Sequence, residues 1–201
     1  MSVLAVDTSA RLRALCVTAG EDGSPLAHRA LRGRDLDRDL PIALAELLDG
    51  EVRAVACVMG PGSYTGLRVG IAAALGVAHA RGLPLHGIAA LDVVALAAPP
   101  DLTDVEAVAD AGRGALYVAR YRRDGDSLHA TTEPRREDAA TWTPAPGATA
   151  VSLDAVAGAL DRGDHAVAAL AAAAARALDT QPLPLAGLEP LYLAGRSSSA
   201  H

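Results

Sequence analysis

Two short segments hold the residues whose types and spacing could do chemistry. Asp7-Thr8-Ser9 puts a carboxylate and two hydroxyls at the end of an apolar run, where a tight turn could aim them at a phosphate or a metal ion. The same tripeptide also suits an Asx-type turn whose side chains satisfy backbone N–H groups. The second segment, Gly60-Pro61-Gly62-Ser63-Tyr64-Thr65-Gly66-Leu67-Arg68-Val69-Gly70, sets glycines and hydroxyls between a strand and a helix. A helix N-terminus leaves about four N–H groups unpaired and carries positive partial charge, which suits an anion, while glycines equally admit another backbone. No Gly-Lys-Ser/Thr follows, so this is not a Walker loop, and Gly60, Gly62 and Gly66 are wrongly placed in the chain for a dinucleotide fingerprint.

Other chemistries lack their residues. The histidines are His28, His79, His86, His129, His165 and His201, and no two have the i, i+4 spacing of paired helical metal ligands. There is no Cys-x-x-Cys, and Cys16 and Cys57, each among apolar neighbours, read as buried reduced thiols. No Gly-x-Ser-x-Gly elbow occurs, because Ser63 stands in Pro-Gly-Ser-Tyr. Asp35, Asp37 and Asp39, like Glu137 and Asp138, lie in Arg-rich stretches and read as solvated surface.

Composition narrows the classes further. The chain has 201 residues, 51% hydrophobic and 21% charged, enough apolar content for the core of one domain or two small lobes. Net charge is −6 and the aromatics are one Trp and four Tyr with no Phe, so neither a cationic nucleic-acid surface nor a base-stacking platform is expected. Charges interrupt every apolar stretch before the ~18 residues a membrane helix needs, and Met1-Ser2 leads into a strand without a basic leader, so a cytoplasmic protein is expected.

The elements that must position the two segments follow from periodicity. Alternation predicts strands over 2–7, 12–19 and 25–31, a meander turned at Asp22-Gly23. Leu36, Leu40, Leu44, Leu47 and Leu48 share one helical stripe ended by Gly50, and 52–59 reads as a strand buried on both faces. Beyond the glycine loop, 67–80 is predicted helical with Gly82-Leu83-Pro84 as its stop, then a strand at 85–88 and a helix at 91–98. That order, βββαβαβα, makes an α/β first lobe of residues 1–100, closed by Pro99-Pro100. Residues 101–201 form a second, reduced lobe in which the βββ opening recurs at 105–109, 115–121 and 127–132, turned at Gly112-Arg113-Gly114. There, 133–147 reads as lacking an element, 148–153 as a strand, and 154–160 and 165–178 as Ala-rich helices.

One helix carries an open question. Gly66, Gly70, Ala74 and Ala78 form a row of small residues, and Ala72, Gly76 and Ala80 a second. Each glycine costs about 1 kcal/mol against alanine in a helix, so close packing should offset it, either on the helix's own sheet or on a partner's helix.

Four segments together resemble the bacterial TsaB (YeaZ) family over nearly the whole chain: Leu4-Ala5-Val6-Asp7-Thr8-Ser9, the run from Gly60 to Gly70, Ala107-Val108-Ala109-Asp110-Ala111-Gly112-Arg113-Gly114-Ala115-Leu116-Tyr117, and Glu189-Pro190-Leu191-Tyr192-Leu193. The resemblance implies an α/β, two-lobe fold of the actin, sugar-kinase and heat-shock ATPase (ribonuclease H-like) type. It implies a non-catalytic subunit that binds the larger catalytic paralogue TsaD, with the ATPase TsaE in the assembled complex, for threonylcarbamoylation of adenosine 37 in tRNAs reading codons that begin with A. It further implies a homodimer when alone, tRNA met only through the complex, and no cofactor or metal held by this chain, ATP or ADP entering only in the assembly.

On this resemblance, first-lobe helices supply the partner surface: Leu40, Leu44, Leu47, Leu67, Gly70, Ala73, Ala74 and Val77. Gly60, Pro61, Gly62, Ser63, Tyr64, Thr65, Gly66 and Arg68 form the motif loop, and Asp7, Thr8 and Ser9 a vestigial phosphate loop. The competing readings are an autonomous ATPase or small-molecule kinase, and a metallopeptidase. The first lacks a hydroxyl after the glycines of Asp110-Ala111-Gly112-Arg113-Gly114, and the second lacks the His-x-x-x-His motif of the catalytic paralogue. The chain departs from its relatives at Arg34-Asp35-Leu36-Asp37-Arg38-Asp39, where they carry a His-Ser- or His-Thr-like segment, and at the short link Gly50-Glu51.

Overall fold

The computed structural model describes residues 1–32, 35–48, 51–125, 127–185, 188 and 190–193. Arg34, Gly50 and Glu189, and the tail at 194–201 that includes His201, lie outside the described residues. Strands β1 (Ser2–Asp7), β2 (Ala14–Gly20) and β3 (Pro25–Leu31) form an antiparallel meander, and β4 (Val52–Gly60) and β5 (Leu85–Ala89) join in parallel beyond β1, giving the order β3-β2-β1-β4-β5. Four helices accompany these strands: α1 (Leu36–Leu47), α2 (Tyr64–Arg81), α3 (Ala90–Leu96) and α4 (Ala166–Ala177).

Period-2 alternation in β1 divides the interior. Leu4 and Val6 pack with Leu40, Leu44 and Leu47 of α1 and with Leu67, Ile71, Ala74 and Ala78 of α2. Val3 and Ala5 face the other way, into a core with Leu91 and Val94 of α3 and Leu170 and Ala174 of α4. That second core continues to a further sheet, built from β6 (Asp104–Gly112), β7 (Ala115–Asp124), β8 (Ser127–Ala130), β9 (Arg135–Asp138), β10 (Thr149–Ser152) and β11 (Leu160–Asp161). Its order is β11-β10-β6-β7-β8, with β9 also paired to β7. The β6-β7-β8 meander repeats the β1-β2-β3 one.

Several boundaries differ from the sequence expectation, each for a local reason. β2 starts at Ala14 rather than Leu12, whose side chain is 86% exposed in the preceding loop. α2 starts at Tyr64 rather than Leu67, because Ser63 caps it by accepting the Gly66 N–H. Gly82 ends α2 in the left-handed conformation, as glycine at that position does. The expected helix at 154–160 is absent: Gly158 has φ +84, closed to a right-handed helix, and Leu160–Asp161 pairs with β10 instead. The stretch at 133–147 does contain an element, β9, where the buried Glu106 receives Arg135 Nη2 at 3.3 Å and the Ala145 N–H at 2.7 Å.

Candidate functional site

The two segments singled out by residue type lie against each other. Asp7 Oδ1 accepts both the Ser9 N–H (2.8 Å) and the Ser9 hydroxyl (2.6 Å), closing an Asx turn at the end of β1. The Thr8 hydroxyl donates to Gly66 O at 2.8 Å, and the Ser63 N–H donates to Ser9 O at 2.7 Å. Both Asp7 and Thr8 are buried. A Cβ on Gly66 would strike Thr8 O, one on Gly70 would strike Thr8 Oγ1, and one on Gly62 would lie 2.6 Å from Ser9 O. Gly62, Gly66 and Gly70 thus admit the turn itself, and the Thr8 and Ser9 hydroxyls with the Ser9, Ser63 and Gly66 N–H groups bond within the chain.

The third and fourth segments reach the same place. Arg11, two residues past Ser9, lays its guanidinium where a Cβ on Gly112 would stand, and the φ of +72 there is one that favours glycine. This joins the first turn to the β6–β7 hairpin. On the opposite side, the Leu191 N–H donates to Met59 O at 2.7 Å, and Tyr192 stacks on Tyr64 with ring centroids 5.2 Å apart. Arg68 lies over the Tyr64 ring at 5.3 Å and donates to its hydroxyl. Tyr64, Thr65 and Arg68 stay exposed around this strap. Arg11 and the return of residues 190–193 were not signalled by spacing, since both bring together segments distant in sequence.

Beside Arg11 and Asp110 opens a cleft of about 370 Å³ that also includes Asp154. Burial raises the Asp154 carboxyl above the usual carboxylate range, and the negative charges of Asp7, Asp110 and Asp161 push the same way against Arg13. Among the described residues, no three His, Cys, Asp or Glu side chains are grouped to hold a metal ion, and no helix is long and apolar enough to cross a membrane.

Most of the residues expected at the partner surface lie inside the chain itself. Leu40, Leu44, Leu47, Leu67, Gly70 and Ala74 are buried in the chain's own core, because the row through Gly66, Gly70, Ala74 and Ala78 faces β1, β4 and the Asp7 turn. Ala73 and Val77 are half-buried against that same core. The second row points outward: Ala72, Gly76 and Ala80 are exposed beside Arg68 and His79, and a Cβ on Gly76 would meet nothing within 4 Å.

Residues 42–187 match the family model described as TsaD: tRNA N6-adenosine threonylcarbamoyltransferase. The chain is 35% identical over 136 residues to the tRNA threonylcarbamoyladenosine biosynthesis protein TsaB of Escherichia coli K12, covering 64% of this chain and 58% of that protein. The chain belongs to the TsaD family, in its TsaB/YeaZ branch. An uncharacterized protein of Mycobacterium leprae is 37% identical over 129 residues, 60% of this chain and 35% of that protein. The TsaB/YeaZ-type chain therefore matches little more than half of the E. coli protein and about a third of the mycobacterial one. YeaZ from Pseudomonas aeruginosa superposes with a TM-score of 0.74 at 22% identity, covering 96% of this chain and 99% of that one. A second P. aeruginosa structure, of an uncharacterized protein with similarity to peptidase YEAZ, gives 0.71 at 24% identity. The TsaB/YeaZ-type chain has the α/β fold of these structures, with its two sheets and repeated meander.

Proposed function

We propose that this chain is a non-catalytic subunit in tRNA threonylcarbamoyladenosine biosynthesis, binding a catalytic TsaD-type partner through the outward face of α2. One observation carries the reading. Asp7 accepts from Ser9, the Ser63 N–H donates to Ser9 O and the Thr8 hydroxyl donates to Gly66 O, so these polar groups are engaged within the chain, while small residues on α2 stay exposed. Gly66 and Gly70 are explained by the Asp7 turn, but a Cβ on Gly76 would meet nothing within 4 Å among the described residues, and Ala72 beside it is exposed. A flat row of small residues lets a second helix approach closely. The likeness to the E. coli tRNA threonylcarbamoyladenosine biosynthesis protein supports the pathway.

In this reading TsaE and tRNA join through the partner, the chain pairs with itself when the partner is absent, and the protein is cytoplasmic. Nucleotide, in the same reading, enters only in the assembled complex.

The test is reconstitution of tRNA threonylcarbamoylation from purified TsaD-type and TsaE proteins, with and without this chain, alongside size-exclusion chromatography of the pair. Modification is expected to require the chain, and the two proteins to co-elute. Equal modification without it, or ATP turnover by the isolated chain near the ~1 s⁻¹ low end of ordinary enzymes, would sink the proposal.

A further inference from the structure

The hairpin between β6 and β7 is closed by two residues, Arg113 and Gly114, with Gly112 paired to Ala115 across the turn. Arg113 has φ +55 and Gly114 φ +71, so both central residues are left-handed, as in a type I′ turn. That turn favours asparagine, aspartate or glycine at its first position, with Asn-Gly a preferred pair. A side chain with a Cβ is disfavoured there, and among the described residues Arg113 alone has a positive φ without being glycine. No bond of the side chain offsets this strain. Arg113 is exposed, and its guanidinium makes no hydrogen bond or ion pair with another described residue. Arg11, whose guanidinium lies on Gly112, is likewise without either. The carboxylates around the hairpin are engaged elsewhere: Asp110 Oδ1 accepts the Gly112 N–H at 2.7 Å, Asp138 Oδ1 accepts the Ala140 N–H at 2.9 Å, and Asp154 lies 4.0 Å from Arg13.

We infer that Arg113, with Arg11 beside it, receives a backbone phosphate of the tRNA in the assembled complex. The inference rests on the tRNA-modification reading above, which supplies the polyanion. A planar guanidinium meets phosphate oxygens with two parallel N–H donors, and neither arginine has to give up a partner to do so. The docking helix of the partner is a different contact: Arg11 follows the turn that Gly66 and Gly70 of the inner row of α2 admit, whereas that helix approaches the outward row through Ala72 and Gly76. An ordinary solvated turn would account for the exposure of Arg113. It gives no reason to keep arginine where asparagine would relieve the backbone, nor for a second free guanidinium on the preceding residue. In a chain of net charge −6, two arginines hold tRNA only alongside the partner's own contacts, so the isolated chain stays a weak binder.

The test follows the fluorescence anisotropy of labelled tRNA with the complex of this chain and its TsaD-type partner, between about 50 and 200 mM salt, together with thermal melts of the chain alone. Arg113→Asn should raise Tm by roughly 2–4 °C, because it relieves the turn. The same variant should make the slope of log affinity against log salt shallower by about 0.7–0.9, the contribution of one phosphate contact. Arg122→Asn, which removes an exposed arginine already paired with Asp104, should leave that slope unchanged. A complex that binds no tRNA would overturn the tRNA reading and this inference with it. Three outcomes would overturn the inference alone: tRNA binding with an unchanged slope in Arg113→Asn, an equal change in Arg122→Asn, or a lower Tm in Arg113→Asn, which would make the guanidinium a structural group. Loss of partner co-elution with the tRNA slope intact would likewise overturn it, by assigning Arg113 to the protein contact.

Discussion

Thr8 occupies the space that Gly70 leaves open on α2, its Oγ1 and methyl group standing where a Cβ would be, while the same hydroxyl donates to Gly66 O at 2.8 Å. The helix can therefore approach the end of β1 only because every fourth residue on its inner face is small. A turn that reads as a possible phosphate loop is in this way a packing lock between β1, the motif loop and α2.

Gly70→Ala should accordingly destabilise the chain even though alanine is the better helix former by about 1 kcal/mol. Overpacking costs roughly 1–3 kcal/mol, and each kcal/mol lowers Tm by about 2–4 °C for a chain of this size. Thermal melts should show the double variant Thr8→Ala/Gly70→Ala losing less than the sum of the single losses, as residues in direct contact do. An unchanged Tm in Gly70→Ala would show that α2 shifts freely.

Gly76 gives the opposite expectation. With open space at its Cβ, Gly76→Ala should stabilise the chain by about 0.4–1 kcal/mol through reduced freedom of the unfolded state. Gly76→Arg should also raise Tm slightly, arginine being nearly as good a helix former as alanine, and should weaken co-elution with the TsaD-type partner. Ala74→Leu should do the reverse, lowering Tm, because Ala74 is fully buried in the chain's own core. If Gly76→Arg leaves association intact, the partner face lies elsewhere.

What the sequence made legible was whatever is local. The strands of the first sheet, the turn at Gly112-Arg113-Gly114 and the stop at Gly82 follow from alternation and glycine conformation, and the structure has them within a few residues. Two rows of small residues on α2 were also visible, but which row faces inward depends on the rotation of the helix about its axis. That rotation is set by Thr8, 62 positions before Gly70. The strap of Leu191 and Tyr192 over Tyr64, the guanidinium of Arg11 on Gly112 and the β9 strand anchored by Glu106 depend on pairings between distant segments, which no window of sequence contains.

The two thiols should be inert in the folded chain. Burial, with Asp7 adding to it, pushes Cys16 up to about 12, and burial drives Cys57 higher still. Thiolate is the reactive form, so at pH 8 an aromatic disulfide reagent should titrate no thiol until denaturant is added and two thiols afterwards. Rapid reaction of either cysteine under native conditions would mean that the core around β1, β2 and β4 opens far more readily than its packing implies.

Asp154 should make stability fall as pH rises. Its folded-state carboxyl is raised above the unfolded value, chiefly by burial, against the opposing charge of Arg13 at 4.0 Å and with Asp7, Asp110 and Asp161 adding to the rise, so the folded chain holds the proton more tightly than the unfolded one. Folding is then favoured below the ordinary carboxylate pKa of about 4, and the advantage disappears as pH rises through the folded value. Asp154→Asn removes the charge that burial disfavours. Its Tm should exceed that of the unaltered chain at pH 7 by roughly 1–3 °C, given partial solvent screening, and the two curves should converge toward pH 4. An asparagine variant that melts lower at pH 7 would mean that the Arg13 ion pair outweighs burial, reversing the sign assigned to this group.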